Sequence, residues 1–195
     1  KEAGFDPVSV ITVVDDKAHY YPGASSFIVK MIADRQTQKL LGLQCMGPGA
    51  VDKMIDIAVM AISLGATLSS MEYLAYAPPF STAIHPFAHT LNILLNKING
   101  ELDSFTPTEY QAKAAQGYTV LDVSITPTLE EKEYVNLTQI DSQLPNHPTD
   151  EKILLVCAKG KRAYLTQNRL KYYGYTNTKV LEGGTTFNGT EIETE

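Results

Sequence analysis

Apolar residues are spaced in one way before residue 100 and in another after residue 117, so the chain is expected to build two separate cores. Residues 8–14 (VSVITVV) are β-branched and predict a strand, after which Tyr20-Tyr21-Pro22-Gly23 punctuates the chain. Residues 26–33 and 39–46, joined across the polar stretch 34–38, predict an antiparallel hairpin whose second arm carries Cys45. Val51, Met54, Ile55, Ala58, Val59 and Ile62 then recur at helical spacing, with Asp52, Lys53 and Asp56 on the other face. Past the Pro-rich stretch at 76–80, Phe87, Leu91, Leu94, Leu95 and Ile98 mark a second amphipathic helix that ends at Asn99-Gly100. This half reads as α+β, with its strands adjacent in sequence.

Residues 101–117 read as a helical linker. Thr106 is placed as an N-cap, Pro107 as the first helical residue, Glu109 as the partner in a T-x-x-E capping box, and Gly117 beyond the end. Strands are then predicted at 118–123, 134–138, 153–156 and 179–181, with a helix over 163–173 stopped by Gly174. Apolar strands without clean alternation point to a small α/β domain with a mostly parallel sheet, covered on both faces.

Composition narrows the function classes. With 195 residues and 44% hydrophobic content, the chain can bury one large or two small cores. A net charge of -6 lacks the basic footprint that nucleic acid or an anionic membrane surface would need, so neither is expected as a partner. The longest apolar uncharged stretch, residues 57–71, is shorter than the roughly 20 residues a membrane span requires. No basic-then-apolar leader precedes it, and Cys45 and Cys157 form no C-x-x-C pair, which together predict a reducing cytoplasm. The chain opens at Lys1 rather than Met and is expected to be a piece of a longer polypeptide.

Chemistry concentrates in V-C-A-K-G-K-R-A-Y (156–164). A cysteine at the C-terminal end of a buried strand, leading into a helix, sits where backbone N–H groups converge and the helix dipole is positive. Lys159, Lys161 and Arg162 add positive charge, and Gly160 lets the backbone turn so that the amides of Ala158 to Lys161 can face the sulfur. Each of these favours thiolate over thiol at Cys157 and predicts a nucleophile. The alternative is a small buried hydrophobe ending a core strand, with the lysines solvating a turn; the ordered spacing argues against it.

The loop C-A-K-G-K-R resembles the C-x-x-G-x-R active-site loop of rhodanese-like sulfurtransferases. The resemblance extends over residues 117–190: V-L-D-V (120–123), V-N-L (135–137) and L-E-G-G (181–184) are similar to the family's opening, second strand and late turn. It implies that Cys157 accepts sulfane sulfur as a persulfide, with the loop Ala158, Lys159, Gly160 and Lys161 binding the donor and Arg162 clamping it. Cysteine phosphatases use a loop one residue longer. Ser124 stands where the family has an arginine, the G-H-I-P-G-A segment is absent, and Phe187 stands near a usual tryptophan.

In the first half, A-H-Y-Y-P-G-A (18–24), L-L-G-L-Q-C-M-G-P-G-A-V-D-K-M-I-D (40–56) and A-Y-A-P-P-F-S-T-A (75–83) resemble the dimerisation domain of FAD-dependent pyridine nucleotide-disulfide oxidoreductases. The branch indicated contains the coenzyme A-disulfide reductases, NADH oxidases and persulfide reductases, some of which end in a rhodanese domain. The resemblance implies that Tyr76 and Tyr21, or Tyr20 in place of Tyr21, lie beside the partner subunit's redox cysteine and flavin, where a phenol donor can stabilise a leaving thiolate; the alternative is interface tyrosines packed for area and one hydrogen bond. His85 is a candidate acid/base by similarity to the glutathione reductase relatives. The glutamate that would pair with it falls at Thr90, so a helix-start role is the preferred reading, and His85 with His89 lacks a third ligand for a metal. Gly47-Pro48-Gly49 mimics a dinucleotide fingerprint but carries Asp52 at the third glycine position. Cys45 reads as packing.

Together the resemblances imply the C-terminal part of a flavin-dependent NAD(P)H disulfide or persulfide oxidoreductase. Residues 1–100 would form a homodimer, and residues 118–195 a divergent rhodanese-like domain taking sulfur from small donors such as coenzyme A or glutathione persulfide. FAD and NAD(P)H belong to the full-length enzyme, and this segment alone is expected to bind neither, nor a metal. The alternative is a degenerate rhodanese-like module that only dimerises or docks.

Overall fold

A computed structural model describes residues 4–76 and 84–194, so most of the tyrosine-proline motif at 75–83 lies outside the described residues. The chain divides into two compact units, Lys1–Gly100 and Glu101–Glu195.

The first unit is built on an antiparallel sheet of β1 (Pro7–Asp15), β2 (Ser26–Asp34) and β3 (Leu40–Met46), in that order, with Val13 opposite Ile28 and Lys30 opposite Gln44. Strand alternation turns Val8, Val10 and Val14 of β1 and Phe27, Val29, Met31 and Ala33 of β2 into one core. Helix α3 (Pro86–Ile98) adds Phe87, Leu91 and Leu94, all fully buried. Each such side chain contributes roughly 1.5–3 kcal/mol of burial. The hydroxyls of Thr12 and Thr90 meet at 2.9 Å inside this layer, and Thr90 also donates to the Pro86 carbonyl at 3.1 Å. A buried threonine pair of this kind satisfies its own polar atoms.

Helix α1 (Val51–Ser63) packs against β3, and the single-turn α2 (Leu68–Met71) follows, opened by a capping box on Thr67. Helical spacing put Ile55, Val59 and Ile62 on the buried stripe of α1. Only Met54, Ala58 and Ala61 are buried there, while Val59 is 53% and Met60 60% exposed and Ile55 and Ile62 are exposed beside them. An apolar stripe is thus left open along α1.

The second unit contains β4 (Ser104–Phe105), α4 (Pro107–Gln111), β5 (Thr119–Asp122), β6 (Glu133–Tyr134), a 3₁₀ turn (Leu137–Gln139), β7 (Ile153–Val156), α5 (Lys161–Tyr172), β8 (Thr178–Leu181) and α6 (Gly184–Asn188). Its five strands are all parallel, in the order β4-β8-β7-β5-β6. Residues 101–117 are therefore more than a linker: Ser104 and Phe105 pair with Val180 and Leu181 at the sheet edge. The capping box of Thr106 and Glu109 is present, but α4 is only five residues long. The strand expected over 134–138 stops at Tyr134, because the Asn136 side chain accepts the Thr138 N–H and winds the chain into the 3₁₀ turn.

Every residue of β7 is fully buried. Leu154 and Val156 join Val120, Leu129, Leu181 and Ile192 in one core layer, and α5 packs against β7 and β8. Toward the beginnings of the strands, the buried His147 has Nδ1 at 2.7 Å from Glu151 Oε2 and Nε2 at 3.1 Å from Glu133 Oε1. Burial pushes its pKa down, but the two carboxylates outweigh burial and hold it above the ordinary histidine value. The imidazolium thus ties β6 to the loop before β7. That contribution is complete below about pH 6.5 and fades as pH rises through the folded-state pKa.

Candidate active site

Because the strands are parallel, the loops after β5, β6, β7 and β8 all leave the same edge of the sheet, where α/β folds place their ligands. Cys157 follows β7 directly. Gly160, at φ 86°, turns the chain into α5, and the Ala163 N–H in the first turn of α5 points to Cys157 Sγ at 3.4 Å. The residue is only 3% exposed, so the sulfur sits at the floor of the loop.

The opposite side of the loop is held by α6. Thr185 N–H donates to the Cys157 carbonyl and Thr186 N–H to the Ala158 carbonyl, both at 3.0 Å. In a trans peptide the N–H points away from its C=O, so the N–H groups of Ala158 and Lys159 are turned away from α6. Gly184 makes this approach possible. A Cβ on it would lie 2.0 Å from the Cys157 carbonyl oxygen and 2.6 Å from that of Ala158. Gly184 lies in the L-E-G-G stretch that resembles the family's late turn; the backbone contact behind it has no sequence signal.

Arg162 is braced sideways. Its Nε donates to the Val123 carbonyl at 2.9 Å and its Nη2 to Asn136 Oδ1 at 3.0 Å, so two N–H groups of the expected clamp are used within the domain. Lys161 is exposed, while Lys159 and Gly160 are half-buried. Beneath Val123, the fully buried Asp122 carboxylate accepts the N–H groups of Ser124 (2.9 Å), Thr128 (2.6 Å) and Leu129 (3.0 Å) and the Thr128 hydroxyl (3.1 Å). Burial works to raise its pKa, but the bonds from Ser124, Thr128 and Leu129 prevail and hold it below the ordinary carboxylate value. Ser124 thus belongs to a loop-organising network, its Oγ 3.0 Å from Thr128 Oγ1. Neither Asn136 nor this network was singled out as functional from the sequence.

In the first unit, His85 is the N-cap of α3, its Nδ1 accepting the Phe87 N–H at 3.2 Å. Burial, and then the charge of Lys53, lower its pKa, which favours the neutral ring that a cap acceptor needs. The ring stacks on Tyr76 at 5.5 Å between centroids, and the Tyr76 hydroxyl donates to the Met71 carbonyl at 3.0 Å. Burial raises the Tyr76 pKa. Tyr21 is 44% and Tyr20 77% exposed in the turn after β1. Cys45 is half-buried on β3 and packs against the core.

The Gly47-Pro48-Gly49 turn does not fit a dinucleotide. It follows an antiparallel strand, and Gly47 is demanded by Phe27, whose ring and backbone a Cβ would meet at 2.8 and 3.3 Å. Among the described residues, no helix is long and apolar enough to cross a membrane.

Residues 1–88 match the pyridine nucleotide-disulphide oxidoreductase dimerisation domain, and residues 93–186 match the rhodanese-like domain. An NAD(P)H sulfur oxidoreductase (CoA-dependent) of Pyrococcus furiosus is 33% identical over 93 residues, 47% of this chain and 21% of the relative. A coenzyme A disulfide reductase of Staphylococcus epidermidis is 37% identical over 71 residues, 35% of this chain and 16% of the relative. An NAD-dependent persulfide reductase from A. fulgidus superposes over 95% of this chain and 34% of its own, with a TM-score of 0.82 and 33% identity. The reduced CoADR-RHD of Bacillus anthracis does so over 97% and 35%, with a TM-score of 0.83 and 26% identity. The chain therefore spans about a third of these solved relatives and about a fifth of the Pyrococcus relative. The first match lies within the first unit, and the second begins near the end of α3 and runs through most of the second unit, so this chain carries a pyridine nucleotide-disulphide oxidoreductase dimerisation domain followed by a rhodanese-like domain.

Proposed function

We propose that this chain is the C-terminal part of a flavin-dependent NAD(P)H disulfide or persulfide oxidoreductase, in which Cys157 collects sulfane sulfur and residues 1–100 join two copies. The observation that carries this reading is the setting of Cys157: a lone sulfur at the end of a buried parallel strand, bonded by the Ala163 N–H at the positive end of α5. The Cys157 thiolate attacks the outer sulfur of a thiosulfate or of a coenzyme A or glutathione persulfide. The Sγ–S bond forms, the donor's S–S bond breaks, and its electron pair leaves on sulfite or on the donor thiolate. The product is a Cys157 persulfide with no net change of oxidation state. In a full-length enzyme of this family, bound FAD and NAD(P)H would supply the electron pair needed to release the sulfur as sulfide. Loop amides from residues 158–161 steady the anionic donor, and the remaining N–H groups of Arg162 face it.

The test is sulfur transfer from thiosulfate or glutathione persulfide to cyanide, comparing the chain with Cys157→Ser. Loss of transfer to background is expected; unchanged transfer would remove Cys157 from the chemistry. A second reading, a docking module without turnover, is favoured by the 3% exposure of Cys157 and by the bonds that occupy Arg162. It requires Cys157 to alkylate no faster than an ordinary thiol.

The open stripe of α1 supports the homodimer, in which Tyr21 and Tyr76 would face the partner's redox centre. Val59→Asp places a charge on that stripe and is expected to weaken self-association more than tenfold in sedimentation equilibrium. An unchanged dissociation constant would exclude this face from the interface.

A further inference from the structure

The Cys157 loop is gripped from two sides, and the grips differ in kind. On one side α6 holds it by backbone bonds to the Cys157 and Ala158 carbonyls. On the other, the Arg162 side chain ties the first turn of α5 to the ends of β5 and β6 through Val123 and Asn136. Asn136 is itself fixed. Its Oδ1 accepts the Thr138 N–H at 3.0 Å and the Thr138 hydroxyl at 2.9 Å, as well as Arg162. The Val123 carbonyl is fixed too, since Val123 N–H donates to Val156 at 2.8 Å and the following loop hangs on Asp122.

We propose that Asn136 is a positioning residue for Cys157: with the Val123 carbonyl it locks the Arg162 fork, and the locked fork keeps the first turn of α5 seated so that the Ala163 N–H stays on the sulfur. The fork is planar and bonds through two adjacent N–H groups, so losing one acceptor frees it to rotate about the other. The brace also decides what is left for substrate. With Nε and one N–H of Nη2 committed, the guanidinium presents only its far edge, which suits a small anionic terminus such as a persulfide or thiosulfate sulfur. This last point rests on the sulfur-transfer reading above; the brace itself does not.

The test is the rate of iodoacetamide alkylation of Cys157 in the full chain, read by mass spectrometry of the peptide that carries it, as a function of pH. Asn136→Leu, which removes the acceptor at similar volume, is expected to slow alkylation at pH 7 about tenfold, because the Ala163 N–H no longer stays on the attacking sulfur. Asn136→Asp keeps an acceptor for Arg162 and is expected to react within about threefold of the parent. Thr138→Val, a milder change that loosens Asn136 without touching Arg162, is expected to slow the reaction about threefold. If Asn136→Leu does not fold, the Thr138→Val rate decides. Parent-like rates in Asn136→Leu or in Thr138→Val, or equal slowing in the Leu and Asp variants, would overturn the proposal. No sulfur donor enters the assay, so absent sulfur transfer with the rate differences intact would remove the transfer reading alone, and intact transfer with parent-like variant rates would remove the brace alone.

Discussion

Gly184→Ala is expected to abolish sulfur transfer and to destabilise the rhodanese-like domain by about 3 kcal/mol or more. Its φ of 53° is a left-handed conformation that costs a non-glycine residue roughly 1–3 kcal/mol. The larger effect is the collision. A Cβ placed 2.0 Å from the Cys157 carbonyl oxygen meets backbone, so no side-chain rotation relieves it, and the loop must leave the Thr185 and Thr186 N–H groups. For a domain of this size 3 kcal/mol corresponds to a fall of roughly 12–24 °C in the melting temperature. Gly189→Ala separates the two effects, since Gly189 also has a positive φ, of 80°, but nothing within 4 Å of an added Cβ. Its cost is expected to stay near the conformational term alone. Equal losses in the two variants, measured by calorimetry, would mean that the cysteine loop yields to the intruding methyl group.

The second large effect is expected at Asp122. Replacing it with Asn keeps one acceptor oxygen for the Thr128 and Leu129 N–H groups but turns the amide donor toward the Ser124 N–H, and a buried donor left facing a donor, with the charge lost from the other bonds, costs about 1–3 kcal/mol. The pH dependence carries a second signature. The folded-state pKa lies below the unfolded value of about 3.9, so the carboxylate's contribution is present above that pH and is lost as pH falls through the folded-state pKa. Urea unfolding from pH 7 to pH 3 should show a steeper acid loss in the parent than in Asp122→Asn. Parallel curves of equal height would contradict the network. The same change should slow sulfur transfer, because Asp122 secures the loop that presents the Val123 carbonyl to Arg162.

What could be read in advance was whatever is encoded locally. The alternation of β1 and β2, the helical spacing of α3 and the Thr106–Glu109 capping box all rest on neighbours a few residues apart. So does the strand-loop-helix grammar around Cys157. What could not be read depends on distant partners. Ser104-Phe105 is too short to show a period, and it is a strand only because β8 lies beside it. The helical spacing of α1 identified its apolar residues but not which of them the unit itself covers, since Met54 and Val59 look alike until the sheet position is known. In the loop, the residue types were legible and their partners were not. Arg162 looked like a substrate clamp because its acceptors, Val123 and Asn136, stand 39 and 26 residues away. The V-N-L stretch looked like strand until the Asn136 side chain claimed the Thr138 N–H.

The most direct measurement of the central claim is the mass of the peptide containing Cys157 after the chain meets a stoichiometric persulfide donor and is rapidly alkylated. The account requires one added sulfur on Cys157, none on Cys45, and its disappearance when a thiol acceptor is supplied. An unmodified Cys157 peptide under conditions that persulfidate a reference sulfurtransferase would contradict the account and leave the second domain as a docking module.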